Sequence, residues 1–179
     1  MNKVVRYFAL ATSACFAFAV GLVASPARSA DAPAAPAAAP GVSYEVESGV
    51  TAGGATIQDD GAASGGKVVG SFHVGGASAA IAKVDGGKGG SFNLVVRYAT
   101  PQATTNTLYV NDVKVGAIEY KETGGWFGEG MYKTKTVAIT LKPGLVNTIK
   151  FQSDDGDGAI NMDKITVAPA PPAAKPAPK

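Results

Sequence analysis

Short runs in which apolar and polar residues alternate fill the chain between about residues 42 and 167. In the clearest run, residues 91–98, Phe92, Leu94, Val96 and Tyr98 share one face of an extended strand. Glycine, proline, asparagine or aspartate separates each run from the next, which is typical of an all-β sandwich. The alternation predicts strands at residues 42–47, 67–72, 77–84, 91–98, 107–111, 113–118, 135–141, 145–151 and 160–167.

Turn-forming residues mark the connections between these strands. Asn111-Asp112 predicts a tight hairpin, because both residues tolerate left-handed backbone. Pro143-Gly144 predicts a second turn, and the loops at residues 85–90 and 122–132 are long and rich in glycine. Together the runs predict one folded module, residues 42–167, of about 125 residues, an ordinary size for a single domain.

The start of the chain has the pattern of a secretory signal peptide, residues 1–30. A positive beginning is followed by an apolar stretch at residues 8–24 and by small residues before Ala30. The apolar stretch is shorter than the ~20 residues that a membrane-spanning helix needs, so cleavage is favoured over an uncleaved anchor. We therefore expect a secreted, periplasmic or extracellular protein, with no membrane attachment after cleavage.

The sole cysteine, Cys15, lies within this apolar stretch. Lipidation of Cys15 is a minor alternative, because Thr12 stands where a lipoprotein signal carries a leucine-type residue. After cleavage the chain has no disulfide, thiol nucleophile or thiolate ligand. Residues 31–41 and 168–179, rich in alanine and proline, predict an extended linker and a C-terminal tail.

The charge balance argues against binding to nucleic acid. Three of the 16 basic residues, Lys3, Arg6 and Arg28, lie in the leader, which leaves 13 against the 14 acidic residues. Nucleic-acid binders usually carry a basic stripe, and none is visible here.

Asp163 is the unusual residue of the last predicted strand. Asn161, Asp163, Ile165 and Val167 share one parity, so Asp163 is expected in line with buried aliphatic side chains. Burial of a carboxylate is costly unless the charge is neutralised or coordinated.

Glu45 and Glu47 offer a compensation for Asp163 at the other end of the domain. On one strand they share a face, about 7 Å apart, and first and last strands of a sandwich are often neighbours. Three converging carboxylates favour a cation, and oxygen ligands without His or Cys select Ca²⁺. The alternative is that the two glutamates simply face solvent.

Asp154, Asp155 and Asp157 form an acidic loop before the last strand. They lack the glycine and the closing glutamate of the helix-loop-helix calcium pattern. A solvated turn beside the functional site is favoured, and a second, weaker cation site remains the alternative.

Seven short motifs in order resemble the carbohydrate-binding modules of families 6 and 35, which have a jelly-roll, galactose-binding-like fold. The match covers the whole predicted module, and the seven motifs together are more specific than any one of them. They are Tyr44-Glu45-Val46-Glu47, Gly65-Gly66-Lys67-Val68-Val69-Gly70, residues 90–99 with Leu94-Val95-Val96-Arg97-Tyr98-Ala99, Val110-Asn111-Asp112, Thr123-Gly124-Gly125-Trp126, residues 141–150, and Asn161-Met162-Asp163-Lys164-Ile165.

The resemblance implies that Glu45, Glu47 and Asp163 hold a structural Ca²⁺ ion. It also implies a carbohydrate site in which the Trp126 indole stacks on a sugar ring and the Asn161 amide hydrogen-bonds to hydroxyls. These modules usually carry a second aromatic residue, for which Phe72 is the candidate. Each assignment has an alternative: Trp126 and Phe72 as core residues, and Asn161 as a loop-capping amide.

The sequence therefore predicts a secreted, non-catalytic carbohydrate-binding module that acts alone or beside a separate glycan-active enzyme. The alternative is a structural or adhesive cell-envelope sandwich without a sugar site, which a buried Trp126 would favour. An enzyme is disfavoured, since no Ser-His-Asp or metal-hydrolase pattern stands out, although paired carboxylates do cleave glycosides.

Overall fold

The computed structural model of the protein describes residues 40–154 and 157–171. Two antiparallel sheets build this part of the chain, so the predicted all-β sandwich is confirmed. The described strands are β1 (Val42–Glu45), β2 (Val50–Ala52), β3 (Thr56–Asp59), β4 (Lys67–Gly70), β5 (Ser78–Val84), β6 (Gly90–Ala99), β7 (Thr104–Val110), β8 (Val113–Tyr120), β9 (Lys133–Leu141), β10 (Asn147–Gln152) and β11 (Asn161–Pro169).

The signal peptide, and all but the last two residues of the linker predicted at residues 31–41, lie outside the described residues. The same holds for residues 172–179 of the predicted tail. Ala168 and Pro169, which were assigned to that tail, belong to β11. Within the described residues, no helix has the length and apolar character needed to cross a membrane.

β11 is the central strand of the first sheet, whose order is β3-β4-β11-β6-β9. One edge of β11 pairs with β6 along most of its length. The other edge pairs with β4 near Met162 and with β1 from Lys164 to Val167. The first and last strands of the module are thus neighbours, as the sequence suggested. The second sheet has the order β2-β5-β10-β7-β8.

Alternating side chains of both sheets fill the space between them. Leu94 and Val96 from β6 are fully buried with Leu108 from β7 and Phe151 from β10. Burial of one such aliphatic or aromatic side chain contributes about 1.5–3 kcal/mol.

A one-residue bulge at Asp163 corrects the parity predicted for β11. Met162 pairs with Tyr98 and Lys164 pairs with Arg97, so Asp163 is the extra residue of β11. Met162 belongs to the core before the bulge, and Ile165 belongs to it afterwards. Asn161 therefore does not share the core-facing parity of Ile165, although Asp163 is buried as predicted.

The first strand is shorter than predicted. β1 ends at Glu45, and Val46–Ser48 form a turn of 3₁₀ helix that buries Val46. Glu45 and Glu47 are therefore brought together by a turn and not by a continuous strand. The alternation does not predict the short strands β2 and β3, because three or four residues flanked by glycine give too short a pattern.

The hairpin predicted at Asn111-Asp112 is present between β7 and β8. Both residues have positive φ, 53° and 65°, as a type I′ turn requires.

Asn147 ties this hairpin to two neighbouring loops. Its amide nitrogen donates to the carbonyls of Lys142 at 2.8 Å and of Val84 at 3.2 Å. Its amide oxygen accepts from Asn111 Nδ2 at 2.9 Å and from the Lys142 N–H at 2.8 Å. Asn147 is fully buried. Its amide therefore provides the hydrogen-bond partners that water cannot provide to these backbone groups.

Replacement of this amide by a hydrocarbon should destabilise the fold. We expect Asn147→Leu to lower the free energy of unfolding by about 3 kcal/mol, because several buried polar groups lose their partners. Urea unfolding followed by circular dichroism measures the change. The same substitution at half-buried Asn93 in β6 is the control, with an expected change within about 0.5 kcal/mol. Equal stability of the two variants would contradict the assigned role of Asn147.

Candidate functional site

Trp126 and Asn161 line one pocket at the end of the sandwich where β11 begins. The pocket has a volume of about 220 Å³. The Trp126 indole is half-buried and the neighbouring Phe127 is exposed. The lining residues are Gln58, Ser71, His73, Trp126, Phe127, Ala159 and Asn161.

Asn161 is buried and holds the backbone of the loop that carries Trp126. Its Nδ2 donates to the Trp126 carbonyl at 3.0 Å. Gly70 permits this position, because a Cβ there would lie 2.4 Å from Asn161 Oδ1. Asn161 therefore caps the loop, which is the alternative that the sequence left open, and it also lines the pocket.

The Trp126 loop, residues 121–132, begins with an anchor at Thr123. The Thr123 N–H donates to the Thr100 carbonyl at 2.7 Å, and the Thr100 N–H donates to Thr123 Oγ1 at 2.9 Å. The threonine of the Thr-Gly-x-Trp motif thus fixes where the loop leaves β8.

Asp60 provides a second anchor that the sequence did not reveal. Its carboxylate accepts hydrogen bonds from Tyr132 Oη, from the Gly128 N–H at 3.1 Å and from the Ala62 N–H at 3.0 Å. Burial on its own raises the pKa of Asp60, but these hydrogen bonds outweigh it and the pKa lies below its ordinary value. In the sequence, Asp59-Asp60-Gly61 signals only a turn.

Phe72 does not belong to the site, which corrects its prediction as a carbohydrate-binding residue. Its side chain is fully buried in the core, so neither ring face is open to a ligand. Ser71 has a positive φ of 65° just after β4, and His73, two residues later, lines the pocket. Phe127 is the second aromatic side chain there.

The carboxylate cluster (Glu45, Glu47 and Asp163) lies where β1, the 3₁₀ turn and β11 meet. Glu45 Oε1 accepts from Ser64 Oγ at 2.8 Å. Asp163 Oδ2 forms an ion pair with Arg97 Nη1. The remaining buried oxygens, Glu45 Oε2, Glu47 Oε2 and Asp163 Oδ1, have no hydrogen-bond partner among the described residues.

The electrostatics of the cluster show that its charges are incompletely balanced. Burial raises the pKa of Glu47, and the negative charges of Glu45 and Asp163 raise it further. Burial also raises the pKa of Asp163, although Arg97 opposes the rise. Arg97 therefore compensates only part of the buried negative charge.

The carboxylate oxygens of the cluster are of the type that binds Ca²⁺. The three side chains do not yet converge on one centre as the ligands of a bound ion would. Three unpaired carboxylate oxygens are hard ligands of the kind that Ca²⁺ prefers. Gly65, with φ of 72°, leaves room beside them, since a Cβ there would lie 2.8 Å from Glu47 Oε1. Within the described ranges, however, no group of three or more His, Cys, Asp or Glu side chains is arranged to hold a metal ion as it stands. The three unpaired oxygens nevertheless favour an ion site, because a buried carboxylate oxygen without a partner is costly.

The acidic loop before β11 is tied to the second sheet. Asp154 accepts from Thr107 Oγ1 at 2.7 Å and from Lys114 Nζ at 3.0 Å. Asp157 accepts from Thr105 Oγ1 at 2.5 Å. Asp155 lies outside the described residues.

Larger cavities occur elsewhere in the described part of the chain. One of about 490 Å³ lies between the edge strands β8 and β9 and is lined by aliphatic side chains such as Val113 and Val115. Another, of about 610 Å³, lies near Thr104 and Tyr120. Neither is lined by Trp126 or Asn161, so the smaller pocket is the candidate site on chemical grounds.

Comparison with solved structures places this domain among carbohydrate-binding modules. The family 35 carbohydrate-binding module from Clostridium thermocellum has 29% sequence identity and a TM-score of 0.65, with coverage of 71% of this chain and 98% of that chain. The family 35 module from Paenibacillus barcinonensis has 27% identity and a TM-score of 0.64, with coverage of 73% and 100%.

Part of an enzyme is also similar. The exo-β-1,3-galactanase from Phanerochaete chrysosporium has 31% identity and a TM-score of 0.63 over 72% of this chain, but the match covers 29% of the enzyme.

Sequence comparison gives a short match. A 1,6-α-glucosyltransferase from Sporosarcina globispora is 34% identical over 83 residues. The match covers 44% of this chain and 6% of the glucosyltransferase. A scan against models of known protein families gives no match.

The two family 35 modules are matched over nearly their full lengths, and the enzymes over a minor part. The predicted jelly-roll fold and the resemblance seen in the sequence are therefore confirmed, and the described domain is similar to family 35 carbohydrate-binding modules in both sequence and fold.

Proposed function

We propose that this module binds carbohydrate at the Trp126 pocket and performs no catalysis of its own. The observation that carries the proposal is the meeting of a half-buried indole, an exposed phenyl ring and a buried amide around one pocket. The indole gives a stiff apolar platform for the C–H face of a pyranose. Amide, imidazole and hydroxyl groups on the wall suit its hydroxyls.

The size of the pocket favours a single sugar ring. Its volume of about 220 Å³ is below the ~300 Å³ at which ordinary small-molecule sites begin. A site that buries one ring gains little contact area, so affinity should be modest. Such a site suits a chain end or a side branch better than the interior of a long chain.

We also propose that the carboxylate cluster takes up a structural Ca²⁺ ion. Glu45, Glu47 and Asp163 would supply carboxylate oxygens and relieve their mutual repulsion, after a small shift towards a common centre. The ion would stiffen the junction of the first and last strands and would take no part in sugar contact.

The leader predicted at residues 1–30 supports a secreted, periplasmic or extracellular location. The enzymes with a similar part suggest a role beside a glycan-active enzyme. The exo-β-1,3-galactanase structure contains β-1,3-galactotriose, and a similar cycloisomaltooligosaccharide glucanotransferase from a Paenibacillus species is complexed with cycloisomaltoheptaose. These two oligosaccharides are the first probes to test, because the linear galactotriose offers a chain end and the cyclic heptaose offers none.

A structural envelope domain without a sugar site is the second candidate. A core position of Trp126 would have favoured it, whereas the indole is half-buried beside Asn161. The carbohydrate proposal therefore accounts better for this end of the domain.

Truncation of the Trp126 side chain should abolish most of the carbohydrate binding. We expect Trp126→Ala to weaken binding to any sugar retained by the wild-type protein by at least about tenfold, because the stacking surface is lost. A glycan array that includes β-1,3-galactotriose and cycloisomaltoheptaose, followed by calorimetry on the hits, measures the change.

Leu145→Ala is the matched control for this experiment. Leu145 is an exposed apolar residue, 62% accessible, away from the pocket, and its truncation should leave affinity unchanged. Wild-type affinity in a folded Trp126→Ala variant would overturn the assignment of the site.

Calcium should raise the melting temperature. At a calcium concentration about a hundredfold above the dissociation constant, binding to the folded state adds about 2.7 kcal/mol of stability. Differential scanning fluorimetry in CaCl₂ and in a chelator measures the shift. We expect Glu47→Gln to remove most of it, because a charged ligand is lost.

Asp59→Asn is the control for Glu47→Gln. Asp59 is an exposed carboxylate paired with Lys67, and its neutralisation should leave the calcium shift intact. A wild-type melting temperature that is the same in calcium and in chelator would refute the ion site.

A further inference from the structure

One short chain of contacts connects the end of the Trp126 loop to the carboxylate cluster. Tyr132, the last loop residue before β9, donates its hydroxyl proton to Asp60. The same carboxylate oxygen of Asp60 accepts the N–H of Gly128, two residues after Trp126. Asp60 therefore holds the loop at two points on the C-terminal side of the indole.

Arg97 lies between this loop and the cluster. Its guanidinium carbon is 4.0 Å from the centroid of the Tyr132 ring. Its Nη1 pairs with Asp163, and its Nη2 donates to the Ala62 carbonyl at 3.3 Å. One side chain on β6 thus touches a predicted ion ligand and the tyrosine that ends the loop.

The charges around Arg97 make this arrangement stable. Asp60 and Asp163 are both buried carboxylates. The guanidinium pairs with Asp163, and its positive charge also lowers the pKa of Asp60. Burial and the hydrogen bond to Asp60 raise the pKa of Tyr132 well above its ordinary value. Tyr132 therefore keeps its proton and remains a donor to the ionised Asp60.

We propose that Asp60, Tyr132 and Arg97, here called the loop anchor, are positioning residues that fix the Trp126 indole for sugar binding and couple the carboxylate cluster to it. None of the three lines the Trp126 pocket, so they act through the loop. The part of the inference that concerns sugar rests on the proposed function, whereas the order imposed on Trp126 does not.

Tryptophan fluorescence tests the order of the loop without any sugar. The chain contains a single tryptophan, so its emission and its quenching by acrylamide report Trp126 alone. Tyr132→Phe removes one hydroxyl and leaves the ring beneath Arg97. We expect a higher quenching constant, because the Asp60 contact no longer restrains the loop.

Tyr109→Phe is the matched control. Tyr109 lies on the second sheet, where its ring carries the Lys150 ammonium 4.4 Å from the centroid. Loss of its hydroxyl should leave the quenching constant and the emission maximum of Trp126 at their wild-type values. The two variants thus lose the same group from similar cation–π pairs.

Calorimetry with the best oligosaccharide from the glycan array tests the consequence for binding. Loss of one hydrogen bond to a charged group predicts about tenfold weaker binding by Tyr132→Phe. The calcium-induced shift in melting temperature should stay at its wild-type value, since the Tyr132 hydroxyl does not touch the cluster.

Arg97→Met tests the coupling, because Arg97 contacts both ends. Loss of the guanidinium leaves Asp163 without its cation, so repulsion in the cluster increases and the calcium-induced shift should become larger. The quenching constant of Trp126 should rise as well. An unchanged calcium shift in Arg97→Met would overturn the coupling.

The outcomes separate the two proposals. Failure of the wild-type protein to bind any sugar probe overturns the proposed function, while the quenching data still judge the loop anchor. Wild-type quenching in Tyr132→Phe and in Arg97→Met would overturn the loop anchor, even if Trp126→Ala abolishes sugar binding.

Discussion

The burial of carboxylates where the first strand meets the last is the constraint on which the rest of the structure depends. Asp163 is buried in the central strand of a sheet, where an isolated charge would cost several kcal/mol. Arg97 from the neighbouring strand offsets part of this cost, and a bulge takes Asp163 out of the regular ladder. Because the Arg97 guanidinium also stacks on Tyr132 at the end of the Trp126 loop, the side chain that offsets this buried charge also contacts the loop of the candidate site.

Local alternation predicted most of the fold, and the exceptions have physical causes. β6 shows a strict period of two because both of its edges are paired and one face is fully buried. The hairpin at Asn111-Asp112 was predictable because its backbone requirement is local. The bulge at Asp163 was not, because it depends on pairing with β6, which lies over sixty positions earlier. The 3₁₀ turn after Glu45 likewise depends on tertiary packing of Val46.

Only those residues of the candidate site that belong to a family-like sequence motif could be predicted. Trp126 and Asn161 lie in two motifs that are distant in sequence, and the structure brings them together at one pocket. Phe72 follows the motif that ends at Gly70, but its side chain is buried in the core. Its direction could not be predicted from alternation, because the preceding residue, Ser71, has a positive φ. Asp60 had no signal of its own, because its partners are backbone and side-chain groups that only the fold brings near.

The pairing of Val42 with Val167 has a consequence for how such a module is built into larger assemblies. It places the two ends of the described domain side by side, at the far end of β11 from Asn161. Nine residues of extended strand span about 30 Å. Polypeptide attached at either end would therefore leave the Trp126 pocket unobstructed, so the domain has the geometry of an insertable unit that presents its pocket away from its tethers.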